Sequence, residues 1–322
     1  MTKLPRRPLG GTGLHVTPLG CGCAEIGSMA ETFNYSVPED RALETVRAAL
    51  ASPITFLDTA ASYGDGESER RIGLVLRERS TRLPADYVLA TKADRDLNSG
   101  DFSGDQIKRS VDRSLRLLGL DRLQLVFLHD PEHTTFEAAM APSGPVEVLQ
   151  RLKAEGIIEH VGVAGGPIDM MMRYVETGAF EAMITHNRFT LLNRSADPLL
   201  ELASRRRVGV LNAAPYGSGM LAKGPQAYPR YAYTQASADM VSRATALAEV
   251  CGTYGIPLAA AALQFSLRDP RIVSTIVGMS RPERLQQTLE LAAVTIPEEV
   301  WPELDKYAGP LDDPETVRWH RD

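Results

Sequence analysis

YVLATKADRDLNSGDFSGDQIKRSVDRSLRLLGLDRLQLVFLH, residues 87–129, decides the fold. It opens and closes on short apolar runs, YVLATK (87–92) and LQLVFLH (123–129). Neither run alternates polar with apolar residues, so each reads as a strand buried on both faces. Between them SGDQIKRSVDRSLRLLG (103–119) carries apolar residues at helical spacing and ends on Gly119, a residue suited to a C-cap. A strand, a helix and a second strand in this order imply parallel pairing through a crossover.

The same unit repeats outward in both directions. Further buried-strand runs are VTPLGCG (16–22), ITFLD (54–58), IIEHVGVAG (157–165), FEAMITH (180–186), VGVLNAA (208–214) and IVSTIVG (272–278). Helical patterns fall at 38–50, 68–79, 143–156 and 280–293, with two more, ATALAEVCGTYG and PLAAAALQFSLR, between the seventh and eighth strands. Eight strands alternating with helices predict an α/β fold, a (β/α)8 TIM barrel, with extended loops at its C-terminal face. Thr12-Gly13 predicts a short N-terminal hairpin closing the barrel bottom. No composition shift divides the chain, so residues 1–322 read as one domain.

Composition narrows the function classes. The chain has 322 residues and a net charge of −6, against a partner of nucleic acid. The longest mostly apolar stretch, 256–267, falls short of the roughly 18–20 residues of a membrane span. The basic N-terminus has no apolar segment behind it, and three cysteines, two of them in C-x-C spacing, give neither a disulfide framework nor a zinc site. A cytoplasmic protein with a small-molecule substrate is the expectation. Nothing in the sequence sets an oligomeric state.

The second, third and fourth strand runs stop abruptly at an ionisable residue: Asp58, Lys92 and His129. Strand C-termini in a parallel barrel share one face, where catalytic groups gather. Tyr63 follows five residues after Asp58, in a loop that Gly64 and Gly66 let fold tightly. Alone, an Asp at a strand end is usually a turn former and a Tyr is usually core edge. A buried lysine must be paired, and the four together outweigh the bland readings. An ammonium beside the phenol is expected to lower the Tyr63 pKa, and Asp58 to hold Lys92 charged. Such a set moves one proton on and off an alcohol or carbonyl oxygen, while a nicotinamide carries the hydride. HDPEH (129–133) suits no metal, because Pro131 breaks the helix that would align its histidines.

Together RPLGGTGLHVTPLGCG, FLDTAASYGDGESERRIG, ATKADRD, FLHDPE and IVGMSRPERL resemble the aldo-keto reductase superfamily over almost the whole chain. The resemblance implies a (β/α)8 barrel and NAD(P)-linked interconversion of carbonyls and alcohols. It makes Tyr63 the general acid–base, Lys92 its tuner, Asp58 the partner of Lys92, and His129 the group that orients the carbonyl. It places cofactor contacts at Gly22, His186, Tyr216, Gly217, Ser218, Gly219, Leu221, Gly278, Ser280 and Arg284. Ala164 and Gly165 stand where most members carry Ser-Asn, His186 where they carry Gln, and Ala213 where they carry a stacking aromatic. Gly278 and Ser280 replace residues often basic in NADP users, so the reading leans to NAD, with dual use open.

HNRFTLLNRSADPLL (186–200), VLNAAPYGSGMLA (210–222) and PLAAAALQFSLRDP (257–270) are similar to a subgroup of sugar and pyridoxal dehydrogenases. That implies oxidation of an aldose at C1, like L-fucose, L-galactose or D-arabinose, to a lactone. Alternatives are a broad-specificity NADPH-dependent aldehyde reductase and a non-catalytic NAD(P)-sensing barrel. A Rossmann reading of GSGMLA (217–222) fails because no helical pattern follows it. His133, Asn187 and Arg188 are candidate sugar contacts, each more simply read as solvent-facing loop polarity. The tail, about 308–322 with Trp319, either covers the barrel mouth or packs outside.

Overall fold

A computed structural model describes residues 3–78, 83–309, 311 and 315. Eight parallel strands close into a barrel: β1 (Leu19–Gly22), β2 (Phe56–Asp58), β3 (Val88–Ala93), β4 (Leu123–His129), β5 (Ile158–Ala164), β6 (Ala182–His186), β7 (Gly209–Ala213) and β8 (Ile272–Gly278). Each pairs with its neighbours in sequence, and β8 closes on β1. The outer helices are α1 (Glu39–Leu50), α2 (Glu67–Glu78), α3 (Gly104–Leu118), α4 (Pro145–Ala154), α5 (Ile168–Glu176), α6 (Asp197–Arg205), α7 (Ala238–Thr253), α8 (Leu258–Arg268) and α9 (Pro282–Ala292). Trp319 lies outside the described residues.

Local chemistry accounts for the alternation. Ser103 caps α3 by accepting from the Gln106 amide, and Gly119 ends it in the left-handed conformation. Ile107, Val111 and Leu118 form its buried stripe. Helices α5 and α6, unmarked in the sequence pattern, complete the crossovers after β5 and β6. Each has nine residues and buries one short stripe, such as Met171, Tyr174 and Val175. The first strand run is shorter than its apolar stretch, because His15–Val16 pairs with Arg7–Pro8 in an antiparallel hairpin.

That hairpin seals the bottom. Leu9 and Val16 are fully buried and pack with Phe56, Val88, Leu125 and Leu211 inside the barrel. Large and small residues interlock there. A Cβ on Gly162 would lie 2.4 Å from the Phe127 ring, and one on Gly20 would lie 2.7 Å from Phe56. The packed lower core leaves only the upper, C-terminal face open for a site. Among the described residues no single helix is long and apolar enough to cross a membrane.

Candidate active site

Asp58 ends β2, Lys92 is the second-last residue of β3, and His129 ends β4. The three strands are adjacent, so the side chains rise from neighbouring points on the rim. The loop after β2 brings in Tyr63, held by the Ala61 amide on the Lys92 carbonyl (3.2 Å) and the Ser62 amide on Asp94 Oδ2 (2.9 Å). Lys92 Nζ donates to Asp58 Oδ2 at 2.8 Å, to the Thr59 carbonyl at 2.8 Å and to the Tyr63 hydroxyl at 3.0 Å. The Tyr63 and His129 rings meet edge to face, 5.9 Å between centroids. Lys92 is 2% exposed and Asp58 4%, so the pair is shielded from water and from screening salt.

Burial governs the proton affinities. It pushes the Tyr63 phenol well above its usual value, and the negative charge of Asp58 adds to the push. This corrects the expectation of a lowered Tyr63. The ammonium is within bonding distance, yet Asp58, Asp130 and Asp94 leave the local field negative. Asp58 is itself raised by burial, against the pull of Lys92. His129 is raised: burial opposes its charged form, but Asp130 and Asp94 outweigh it.

A cleft of about 290 Å³ runs from this cluster across the barrel mouth. Of the residues assigned to the cofactor, Gly22, His186, Tyr216, Ser218, Gly219, Gly278 and Arg284 line it. Three do not. Leu221 is fully buried in the core and its amide is used on the Tyr216 carbonyl. Gly217 turns inward, where a Cβ would lie 2.2 Å from the Tyr231 ring. Ser280 lies off the cleft, within reach of Tyr35. Ala164, Ala213 and Ala214 do line the cleft, so small side chains flank the catalytic end.

The cleft fits a dinucleotide. Tyr216 presents a buried hydroxyl with no partner among the described residues. Arg284 also lines the cleft, and its guanidinium has no hydrogen bond or ion pair to a described side chain. Ile184, Ile276 and Val277 supply apolar surface in the same cleft. Glu25 also lines the cleft, packed where a Gly278 Cβ would be, and burial pushes its carboxyl up to about 7.

Two candidate substrate contacts are not solvent-facing: Asn187 and Arg188 are fully buried. Arg188 Nη1 pairs with Glu315 Oε2 at 2.8 Å, and the same oxygen lies 2.7 Å from His186 Nε2. The C-terminal segment thus reaches the end of β6 at the mouth. Glu315 carried no signal in the sequence, nor did Glu25. Asp94 did carry one: it follows Lys92 by two residues, on the same side of an extended chain.

Strand-end proton-transfer groups beside a long mixed groove are the equipment of a barrel oxidoreductase, with a hydride carrier lying along the groove. The description "Aldo/keto reductase family" matches residues 18–308, and the chain belongs to that family. It is an NAD(P)-dependent oxidoreductase acting on a small molecule. It is 32% identical to a D-threo-aldose 1-dehydrogenase of a Pseudomonas species, over 91% of this chain and 94% of that protein. An L-galactose dehydrogenase of Arabidopsis thaliana is also 32% identical, over 92% and 89%. A pyridoxal 4-dehydrogenase of Microbacterium luteolum is 30% identical, over 92% and 95%. In fold, the chain resembles an aldo-keto reductase from Bacillus halodurans solved in its holo form, with a TM-score of 0.79 at 24% identity over 96% and 97%.

Proposed function

We propose that residues 1–322 act as one barrel domain that oxidises the C1 hydroxyl of an aldose, of the L-fucose, L-galactose or D-arabinose kind, to a lactone. The observation that carries this reading is the hydrogen-bonded line Asp58, Lys92, Tyr63 in the wall of the cleft. The two sugar dehydrogenases among the relatives support the substrate class.

When bound, nicotinamide supplies the acceptor for the hydride from C1. The residues supply the rest. The O1 proton passes to the Tyr63 oxygen, and the Lys92 N–H at 3.0 Å stabilises the phenolate that accepts it. Asp58 keeps Lys92 oriented in a site too dry to solvate an ammonium. His129 lines the same cleft, its ring edge to face with that of Tyr63. Gly22, Tyr216, Ser218, Gly219 and Gly278 line the dinucleotide's path, and Arg284 meets its phosphate end. Glu25, packed against Gly278 and within the field of Arg284, opposes a 2′-phosphate in the ionised form it takes as pH rises past about 7, and this supports a preference for NAD. The free, buried cysteines fit a cytoplasmic setting.

One observation favours a reductive alternative. The raised Tyr63 phenol is protonated at rest, the form that donates to a carbonyl. A single experiment separates the two. The protein is mixed with NAD or NADP and a panel of aldoses at mildly alkaline pH, then with NADH or NADPH and a panel of aldehydes. Reduced cofactor is followed by absorbance. Sugar oxidation with NAD supports the proposal. Reduction of many aldehydes by NADPH alone, with no sugar oxidised, overturns it.

A further inference from the structure

Asp94 is a fifth ionisable side chain at the strand-end cluster, 3% exposed and lying behind the cleft surface. Helix α3 fixes its backbone: Asp94 N–H donates to Ser110 Oγ at 3.0 Å, and its carbonyl accepts from Gln106 Nε2 at 3.2 Å. Its two carboxylate oxygens reach two different parts of the cluster, the Tyr63 loop and the end of β4. Oδ2 accepts from the amide of Ser62, the residue before Tyr63, at 2.9 Å. Oδ1 lies 2.7 Å from His129 Nδ1. An ionised carboxylate only accepts, so Nδ1 carries a proton. On the other side of the ring, Nε2 lies 3.6 Å from Asp130 Oδ1.

This arrangement constrains what His129 offers a substrate. With Nδ1 protonated, a neutral imidazole has a bare lone pair at Nε2, which repels a carbonyl oxygen. Only the imidazolium donates from Nε2. The charged groups around the ring divide by sign. Asp94 and Asp130 favour the cation, while Lys92 and burial oppose it. Asp58 and Tyr63 face the cluster from β2 and its loop. Asp130 in turn feels His133, His186 and Glu315. The carboxylates prevail.

We propose that Asp94 is a positioning residue: it locks His129 with Nδ1 protonated and sustains the imidazolium whose Nε2–H bonds the substrate oxygen, while its second oxygen holds the Tyr63 loop in register. The inference rests on the reading that the reacting oxygen sits between Tyr63 and His129. It places the sensitivity to Asp94 in the protonation of His129, a consequence that a purely structural carboxylate would not have.

Asp94→Asn keeps the size and an accepting oxygen but removes the charge. The first readout needs no cofactor: nitrogen NMR of the histidine rings against pH, with His129→Gln identifying the resonance. In the wild type, His129 is expected to titrate above ~6.5 and to hold its neutral proton on Nδ1. In Asp94→Asn the midpoint is expected to fall by about one pH unit or more. The second readout is kcat/KM for reduction of an aldehyde by NADH or NADPH, whose alkaline limb is expected to fall by the same amount. Cofactor Kd is expected to stay within about twofold, and Asp94→Glu to restore part of the limb. A neutral form protonated at Nε2, or a midpoint unmoved by Asp94→Asn, overturns the inference. If the variant does not fold, the wild-type tautomer and midpoint decide. If the NMR result is as expected but no aldehyde or aldose turns over, the proposed function fails and the role of Asp94 in holding His129 stands.

Discussion

At the scale of single residues, the cluster is a set of buried charges that hold only as a set. Tyr63→Phe removes the transferable proton and leaves the shape, so kcat is expected to fall at least ~10²-fold while cofactor binding by fluorescence quenching is unchanged. Near-normal turnover rules out the assigned role. Lys92→Met strands Asp58, 4% exposed, without its ammonium. Urea unfolding is expected to show a loss of about 3–5 kcal/mol, partly recovered when Asp58→Asn is added. Glu69 gives a pH test. It is fully buried, accepts from Thr91 Oγ1 at 2.5 Å, and burial raises its carboxyl to about 7. Between the unfolded value near ~4.3 and that value, the folded chain holds a proton the unfolded chain has lost. Stability from this group therefore falls as pH rises through that window, and levels off above it. Glu69→Gln keeps the contact without the titration. Its stability relative to the wild type is expected to improve by on the order of 3 kcal/mol between pH 4 and pH 8. A difference that stays flat over that range removes the assignment.

At the scale of elements, legibility follows from where the information lies. The eight strands are readable because a barrel strand is buried on both faces and writes a continuous apolar run. Asp58, Lys92 and His129 are readable because three neighbouring runs in succession stop at an ionisable residue, although each alone has a plainer reading. Helices α5 and α6 are not readable with equal ease: nine residues hold too few turns for the helical period to stand out. The direction of the Tyr63 shift is also hidden, since it depends first on how deeply folding buries the phenol and then on the negative charge of Asp58 beside it. Strand packing itself makes a prediction. A Cβ on Gly162 of β5 would lie 2.4 Å from the Phe127 ring of β4 and 2.8 Å from the Ala182 carbonyl of β6. Gly162→Ala is expected to cost about 1–3 kcal/mol by overpacking. Phe127→Leu in the same chain is expected to recover part of that loss in urea unfolding. A simple sum of the two single effects would show that the barrel interior yields there.

At the scale of the whole molecule, the C-terminal segment is joined to the mouth of the barrel. Asn193 and Gly309 form a bridge, the Arg194 amide donates to the Gly309 carbonyl at 3.0 Å, and Arg243 Nε donates to the Tyr307 carbonyl at 2.9 Å. Beyond these, Glu315 meets Arg188 across 127 residues of chain, with both side chains fully buried. No local pattern announces a pairing at that separation, and Arg188 by itself reads as loop polarity. The same carboxylate also bonds His186, which lines the cleft, so an anchor for the tail is shared with a wall of the site. Glu315→Gln keeps the shape and leaves the Arg188 guanidinium buried without that negative charge. A loss of about 3–5 kcal/mol is expected in urea unfolding. The C-terminal segment is expected to become cleavable by protease under native conditions before the barrel unfolds. Because His186 loses the negative charge of its partner as well, KM for the substrate is expected to rise more than the Kd for the dinucleotide. Arg188→Met combined with Glu315→Leu replaces the ion pair by apolar volume, and is expected to recover most of the stability without restoring KM. A loss in the double variant equal to the sum of the losses in Glu315→Leu and Arg188→Met alone would show that the pair is not coupled.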